Sequence, residues 1–184
     1  MDIKAKVAQL SLEDKVKLLT GEDFWTTYAL ADIGLRKMVV SDGPSGVRGE
    51  LWDERSPSLS LPSATAFAST WDTEVMGVIG EVMAYEARRK NVDVVLGPTI
   101  NLHRSPLGGR HFEAYSEDSV LSGKLAAAFV RGIQQQGVGA CLKHFVANDA
   151  ETDRHTVNNI LDEETLREVY ALPFEIAVRD SNPW

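Results

Sequence analysis

Apolar and polar positions along this chain switch repeatedly between two periods. Met38-Val39-Val40 is a short apolar run that ends in Ser41-Asp42 and reads as a strand. From Thr73 to Lys90 the residues Val75, Met76, Ile79, Val82, Met83 and Ala87 recur at three- and four-residue spacing, which predicts an amphipathic helix. Asp72 is placed to cap it, and Arg88, Arg89 and Lys90 close its last turn, where the helix dipole favours cations. VDVVL, residues 92–96, is a second strand, apolar enough to be covered on both faces. The next helix takes Ser116 as its expected cap, a stripe of Val120, Leu121, Leu125, Phe129, Val130 and Ile133, and Gly137 as its stop. Ala140-Cys141-Leu142 reads as the third strand. Asp162 caps a last helix carrying Leu166, Val169 and Tyr170, which Pro173 breaks or kinks and which runs out near Asp180.

The remaining stretches are less periodic. Residues 1–20 read as two helical pieces, with Ser11 capping the second and Leu12, Val16 and Leu19 on one face. Residues 22–37 have no clear period, and Trp25 and Tyr28 there suit buried packing or a ligand wall. Residues 50–71 read as a long loop with Pro57 and Pro62, a length usually reserved for function or mobility. The order strand, helix, strand, helix, strand, helix means parallel strands joined by right-handed crossovers, an α/β fold. A barrel and a doubly wound sheet both place ligands at the C-terminal ends of the strands. No dinucleotide fingerprint accompanies the three units.

Chemistry collects at those strand ends. Asp42 follows the first strand. The loop 97–115 after the second carries His103, Arg104, Arg110, His111 and Glu113. The stretch Gly139 to Asn158 runs from the third strand straight into Lys143-His144 and then Asp149, Glu151, Asp153, Arg154 and His155. Charged groups are rarely buried unless paired, so the cluster faces either a cleft or open solvent as ordinary surface ion pairs. The spacing Gly43, Gly46, Gly49 is no phosphate loop, since no Lys-Ser/Thr pair and no helix follow it. The four histidines lack metal-ligand spacing, so no metal is expected, and no cofactor. Phosphate suits the cations but not Asp42. Carboxylate and guanidinium each make paired hydrogen bonds, which match the vicinal diols of a sugar. A catalytic carboxyl pair among Glu113, Glu117, Asp118, Glu151 and Asp153 competes with helix-start duty for Glu117 and Asp118 and ion pairing for the rest.

Composition narrows the partners. A formal net charge of -8 argues against nucleic acid and against an anionic membrane surface. One cysteine, Cys141, leaves no internal disulfide to form. The first residues lack a signal-peptide apolar region and no run approaches a membrane span, so a cytoplasmic location is expected.

Three segments carry a family resemblance: SDGPSGVRG (41–49), LGPTINLHRSPLGGRHFEAYSEDS (96–119) and KHFVANDAETDRHTVN (143–158). Together, and in this order, they resemble glycoside hydrolase family 3, the β-glucosidase branch. The resemblance implies an incomplete (β/α)8 TIM-type barrel of about three parallel strand–helix units. It implies retaining hydrolysis of terminal β-D-glucosyl residues from glucosides or oligosaccharides. It implies that Asp42 binds glucose hydroxyls and that Arg48, Arg110, Lys143, His144 and Arg154 complete the sugar subsite. The family's N-acetylglucosaminidases carry a KHFPGHG-like loop, whereas this chain has KHFVANDAETDRH. The β-xylosidase pattern after the glycine-arginine and after KHF is not matched either.

The same resemblance implies that two parts lie elsewhere. The family's nucleophile is an aspartate in an SDW-like motif on a later barrel strand, and its acid/base glutamate comes from a second domain. Both are expected beyond Trp184, so residues 1–184 are expected to be the N-terminal portion of the barrel domain, truncated at its C-terminal end and inactive alone. The missing C-terminal part of the same enzyme is then its partner. A barrel cut open is expected to leave Val39, Val94, Val95 and Leu142 short of cover. The alternative is a non-catalytic carbohydrate-binding or regulatory module.

Overall fold

The computed structural model describes residues 2–51 and 53–184. Three short parallel strands form its centre: β1 (Val40–Asp42), β2 (Val94–Leu96) and β3 (Gly139–Ala140). They lie in sequence order in one open sheet, with Val40 opposite Val94 and Val94 opposite Gly139. Asp42 is the last residue of β1 and not its successor, and β3 starts one residue earlier and is shorter than the apolar run suggests. The pairing nevertheless continues past the strand ends. The Ile100 amide donates to the Lys143 carbonyl at 2.8 Å and the Lys143 amide to Pro98 at 3.1 Å. This extension aligns the loop after β2 with the loop after β3.

Helices cover the sheet. The N-terminal helices are α1 (Ile3–Gln9) and α2 (Leu12–Lys17). Ser11 caps α2 as expected, and the apolar face that the spacing lines up is open: Leu12 is 79% and Leu19 86% exposed. The predicted loop 50–71 ends in a helix, α3 (Ala64–Ala68), which the Ser63 hydroxyl caps. Its five residues are too few for a period to be read from sequence.

The two long helices are α4 (Thr73–Arg89) and α5 (Ser119–Gln135). Asp72 caps α4 through two amides, those of Glu74 and Val75. The cap of α5 is Asp118, whose carboxylate accepts from the Leu121 amide, whereas the Ser116 hydroxyl accepts from the Asp118 amide two residues on. Two oxygen-bearing residues two apart both satisfy the capping pattern, so composition alone leaves that start ambiguous. Met76, Met83, Ala84 and Ala87 of α4 and Leu125, Phe129, Val130 and Ile133 of α5 are buried in one core, with Val95 of β2 fully covered. The expected loss of cover at Val95 therefore does not occur, while Val39, Val94 and Leu142 are partly exposed.

The last predicted helix is three pieces. Asp162 caps a single turn, α6 (Glu163–Thr165), which widens to a π-helical turn over Leu166–Tyr170 before α7 (Leu172–Ser181) begins. Pro173 sits in the first turn of α7, where its missing N–H costs nothing, so it starts this helix and does not break it. Among the described residues no helix is long and apolar enough to cross a membrane.

Candidate functional site

The ends of the three strands bring together residues far apart in sequence. Lys143 leaves the extension of β3 and its Nζ reaches Asp42 Oδ1 at 2.7 Å, although 101 positions separate them. Arg48 Nη1 lies 3.9 Å from Asp42 Oδ2, so one carboxylate at the end of β1 faces two cations. The tight turn after it depends on Gly43, whose φ of +130° is a glycine conformation and whose missing Cβ leaves room for the Gly46 carbonyl. Burial pushes the Asp42 carboxyl up, but the hydrogen bond and charge of Lys143, with Arg48, outweigh it and hold it below its ordinary value.

A second knot of charges surrounds Arg110. Its Nε donates to the carboxylate of Glu113, which is 5% exposed. Its Nη1 lies 3.5 Å from Glu151 Oε1, a charge contact without hydrogen-bond alignment. Its Nη2 lies 3.1 Å from His144 Nε2. Thr99 Oγ1 donates to the other Glu113 oxygen at 3.1 Å and so locks the counter-charge from behind. Asn101 clamps His144 through three contacts: its Nδ2 donates to the His144 carbonyl at 2.9 Å, and its Oδ1 lies 2.8 Å from the His144 amide and 3.0 Å from Nδ1. Arg154 is half exposed and joins only at one remove, through Glu151 Oε2 at 3.2 Å.

Thus five of the six sequence candidates, Asp42, Arg48, Arg110, Lys143 and His144, lie in two adjoining charge groups, and Arg154 stands at their edge. Burial, then the positive charges of Arg110 and Lys143, lower the His144 imidazole below its ordinary 6.5. Burial raises the Asp149 carboxyl, whose Oδ1 accepts from the Leu102 amide while Oδ2 is buried without a partner. The gap between Thr99, Asn101, Arg110, Glu113, His144 and Glu151 is small, about 10 Å³.

His103 and His111 serve the loop. His103 Nε2 lies 3.0 Å from the His111 carbonyl and 3.2 Å from that of Ala114, and the His111 ring contacts the Ser105 carbonyl. Among the described residues no three His, Cys, Asp or Glu side chains converge as a metal set would. Thr99 and Asn101 were not singled out from the sequence. The signal was present: in Thr99-Ile100-Asn101-Leu102 polar and apolar residues alternate, and all four are buried.

Comparison with known proteins gives this geometry its family. Residues 6–183 match the glycosyl hydrolase family 3 N-terminal domain. The chain is 46% identical over 179 residues to a probable beta-glucosidase I of Emericella nidulans, covering 97% of this chain and 21% of that protein. It is 44% identical over 191 residues to the thermostable beta-glucosidase B of Acetivibrio thermocellus, covering 100% of this chain and 25% of that protein. Among solved structures, beta-glucosidase from Kluyveromyces marxianus in complex with glucose superposes with a TM-score of 0.95 at 42% identity, over 99% of this chain and 22% of that one. Beta-glucosidase 3B from Thermotoga neapolitana in complex with alpha-D-glucose gives 0.93 at 42% identity, over 100% and 28%. The chain therefore spans about a fifth to a quarter of the length of these relatives, and its open three-stranded sheet is an incomplete barrel. The chain belongs to glycosyl hydrolase family 3 and matches its N-terminal domain.

Proposed function

We propose that residues 1–184 form the N-terminal portion of the barrel domain of a retaining β-glucosidase, truncated relative to its relatives at the C-terminal end, and supply much of its glucose subsite. The observation that carries this reading is the strand-end arrangement, in which Lys143 on Asp42 and Arg110 beside His144 present donors and acceptors side by side. Asp42 accepts from sugar hydroxyls. Lys143, Arg48 and Arg110 donate to them, and His144 and Arg154 complete the subsite. Charge-assisted hydrogen bonds of this kind are each worth roughly 1.5–3 kcal/mol. Two of the relatives superposed above were solved with glucose, which supports glucose as the sugar.

Chemistry needs more. A retaining glycosidase uses two carboxyl groups roughly 5–5.5 Å apart, one as nucleophile and one as acid/base. The carboxylates near the site have other work: Asp42 is paired with Lys143, and Glu113 is buried against Arg110 and Thr99. In this reading both catalytic groups come from the part of the enzyme that the relatives carry beyond the matched region. That part is the chain's partner, the substrate is a β-glucoside or oligosaccharide, and residues 1–184 alone are inactive.

The test is to determine the full-length gene product, then assay it on aryl β-glucoside, β-xyloside and N-acetyl-β-glucosaminide and titrate it with glucose. Hydrolysis confined largely to the glucoside, with residues 1–184 alone inactive, is the expected result. Glucose binding without hydrolysis by the full product would instead make this a carbohydrate-binding module. Neither binding nor hydrolysis would end the glucoside reading.

A further inference from the structure

We propose that Asn101 is a positioning residue that fixes His144 as a neutral imidazole protonated on Nδ1, leaving Nε2 as an acceptor that aligns Arg110. Both ends of the ring require the same form. The Asn101 amide group that faces the His144 carbonyl at 2.9 Å has to be the NH2, because a carbonyl only accepts. The other end of the carboxamide is then Oδ1, an acceptor only. It takes the His144 amide at 2.8 Å, and Nδ1, at 3.0 Å, has to carry a hydrogen to meet it. Across the ring, a guanidinium only donates, so Nε2 at 3.1 Å from Arg110 Nη2 has to offer its lone pair. Two independent partners demand one tautomer.

Protonation of Nε2 would set N–H against N–H and break the contact to Arg110. The charged groups facing His144 are Arg110 and Lys143 on one side of the balance and Glu113 and Glu151 on the other. Glu113 and Glu151 are both drawn towards Arg110, Glu113 through a hydrogen bond and Glu151 through a charge contact. Asn101, 6% exposed, is neutral and adds no charge to that balance. An aspartate there would fit the same space but place an anion against Nδ1 and favour the imidazolium. Asn101 therefore keeps His144 an acceptor, and the direction of that bond keeps the guanidinium pointed across the site.

The sugar part of this inference rests on the glucoside reading above, and the tautomer part does not. The experiment is long-range ¹H–¹⁵N NMR of the histidine rings in the full-length gene product, with His144→Gln to assign the signal, and glucose titration across pH 5.5–8. In the wild type, His144 is expected neutral and Nδ1-protonated at pH 7. In Asn101→Asp its titration should move up by about one unit or more. Glucose affinity of that variant should fall about tenfold below the new midpoint and recover above it. A folding defect would not recover with pH. Asn101→Leu, which removes the clamp without adding charge, leaves Arg110 alone to hold the tautomer, so the Nδ1-protonated share should fall without the upward titration shift of Asn101→Asp. An Nε2-protonated or charged His144 in the wild type at pH 7, or an unmoved titration in Asn101→Asp, would overturn the proposal. The stated tautomer in a protein that binds no glucose would uphold the assignment and sink the glucoside reading instead.

Discussion

The helical layer and the strand-end face of this molecule are held together by different physics. In the layer, α4 and α5 touch backbone to backbone. A Cβ on Gly132 would strike the Gly77 carbonyl, and one on Gly80 would strike that of Phe129. Gly123 gives way in the same manner to Ile176 and Pro173 of α7. Close-packed contact leaves these positions no freedom and no group to offer a ligand. At the strand ends the side chains are long, charged and half buried, and each is placed by an oppositely charged or hydrogen-bonding neighbour. Lys143 and Asp42 retain 14% and 29% of their side-chain exposure. Such pairs hold geometry while keeping polar groups within reach of solvent, which is what a binding face needs.

Layer substitutions should therefore lower stability, and strand-end substitutions should weaken recognition. The largest effect should come from Phe129→Ala. Phe129 is 1% exposed in the centre of the core, and emptying such a site costs about 3–5 kcal/mol. Chemical denaturation of the full-length gene product is the measurement. Gly132→Ala should follow at about 1–3 kcal/mol, the range for overpacking. If either variant denatured like the wild type, the layer would be far looser than described.

Lys143→Ala should act in the opposite way. Glucose affinity is expected to fall by about 1.5–3 kcal/mol, roughly ten- to a hundredfold, with a smaller change in the melt. Arg110→Lys is the mixed case that sharpens the contrast. A lysine cannot reach Glu113, Glu151 and His144 together as the guanidinium does. Because Glu113 is buried, this variant should lose stability by about 1–3 kcal/mol as well as affinity. A melt that stays fixed while affinity falls would mean that the existing bond from Thr99 is enough to hold Glu113.

How much of this was legible differs between the two regions for the same reason that they differ physically. The layer announces itself by period. Met76, Met83, Leu125, Phe129 and Ile133 occupy helical spacing, and all are buried. What period cannot show is which apolar face a neighbour covers: Leu12, Val16 and Leu19 share one face by spacing, and all three lie exposed. The short helix Ala64–Ala68 was hidden for want of length. The site was legible as charged residues after strands, and family resemblance chose among them. Its supporting residues were not, because Thr99 and Asn101 are neutral, and their value lies in pairings with residues 14 and 43 positions away. Arg154 shows the converse: its charge drew notice, but it sits at the rim.

Acid should separate the regions without mutation. His144 is lowered from 6.5, so the fold favours its neutral form, and that contribution is complete above 6.5 and lost as pH falls towards the folded value. Asp42 is lowered from 3.8, so its ionised form is favoured, and that contribution is lost only as pH falls below 3.8 through the depressed value. Asp149, raised by burial, adds stability as pH falls from its raised value to 3.8, and so acts above the window of this second loss. Stability should therefore decline first below pH 6.5 and again below 3.8. His144→Gln should remove the first step, and Lys143→Ala should blunt the second. Denaturation midpoints across pH 3–8 would show both, and a single step common to all three proteins would place the acid sensitivity outside this face.

The smallest effect is expected at an ion pair that geometry alone would rank beside the best. Arg167 Nη2 lies 2.8 Å from Glu163 Oε1, almost the 2.7 Å that separates Lys143 from Asp42. The two pairs differ in surroundings: Arg167 and Glu163 keep 74% and 76% of their side-chain exposure. Water and salt screen such a pair, and fixing two long side chains cancels much of its attraction. Arg167→Ala should change stability by no more than about 0.5 kcal/mol and leave glucose affinity alone. Added salt should erase even that difference, since exposed charges are screened within about 8–10 Å at physiological ionic strength. The Lys143–Asp42 pair, with 14% and 29% of its side-chain exposure left, should keep most of its effect on glucose binding at the same salt. If the two pairs responded alike, exposure would not be what separates them, and the strand-end face would be an ordinary charged surface.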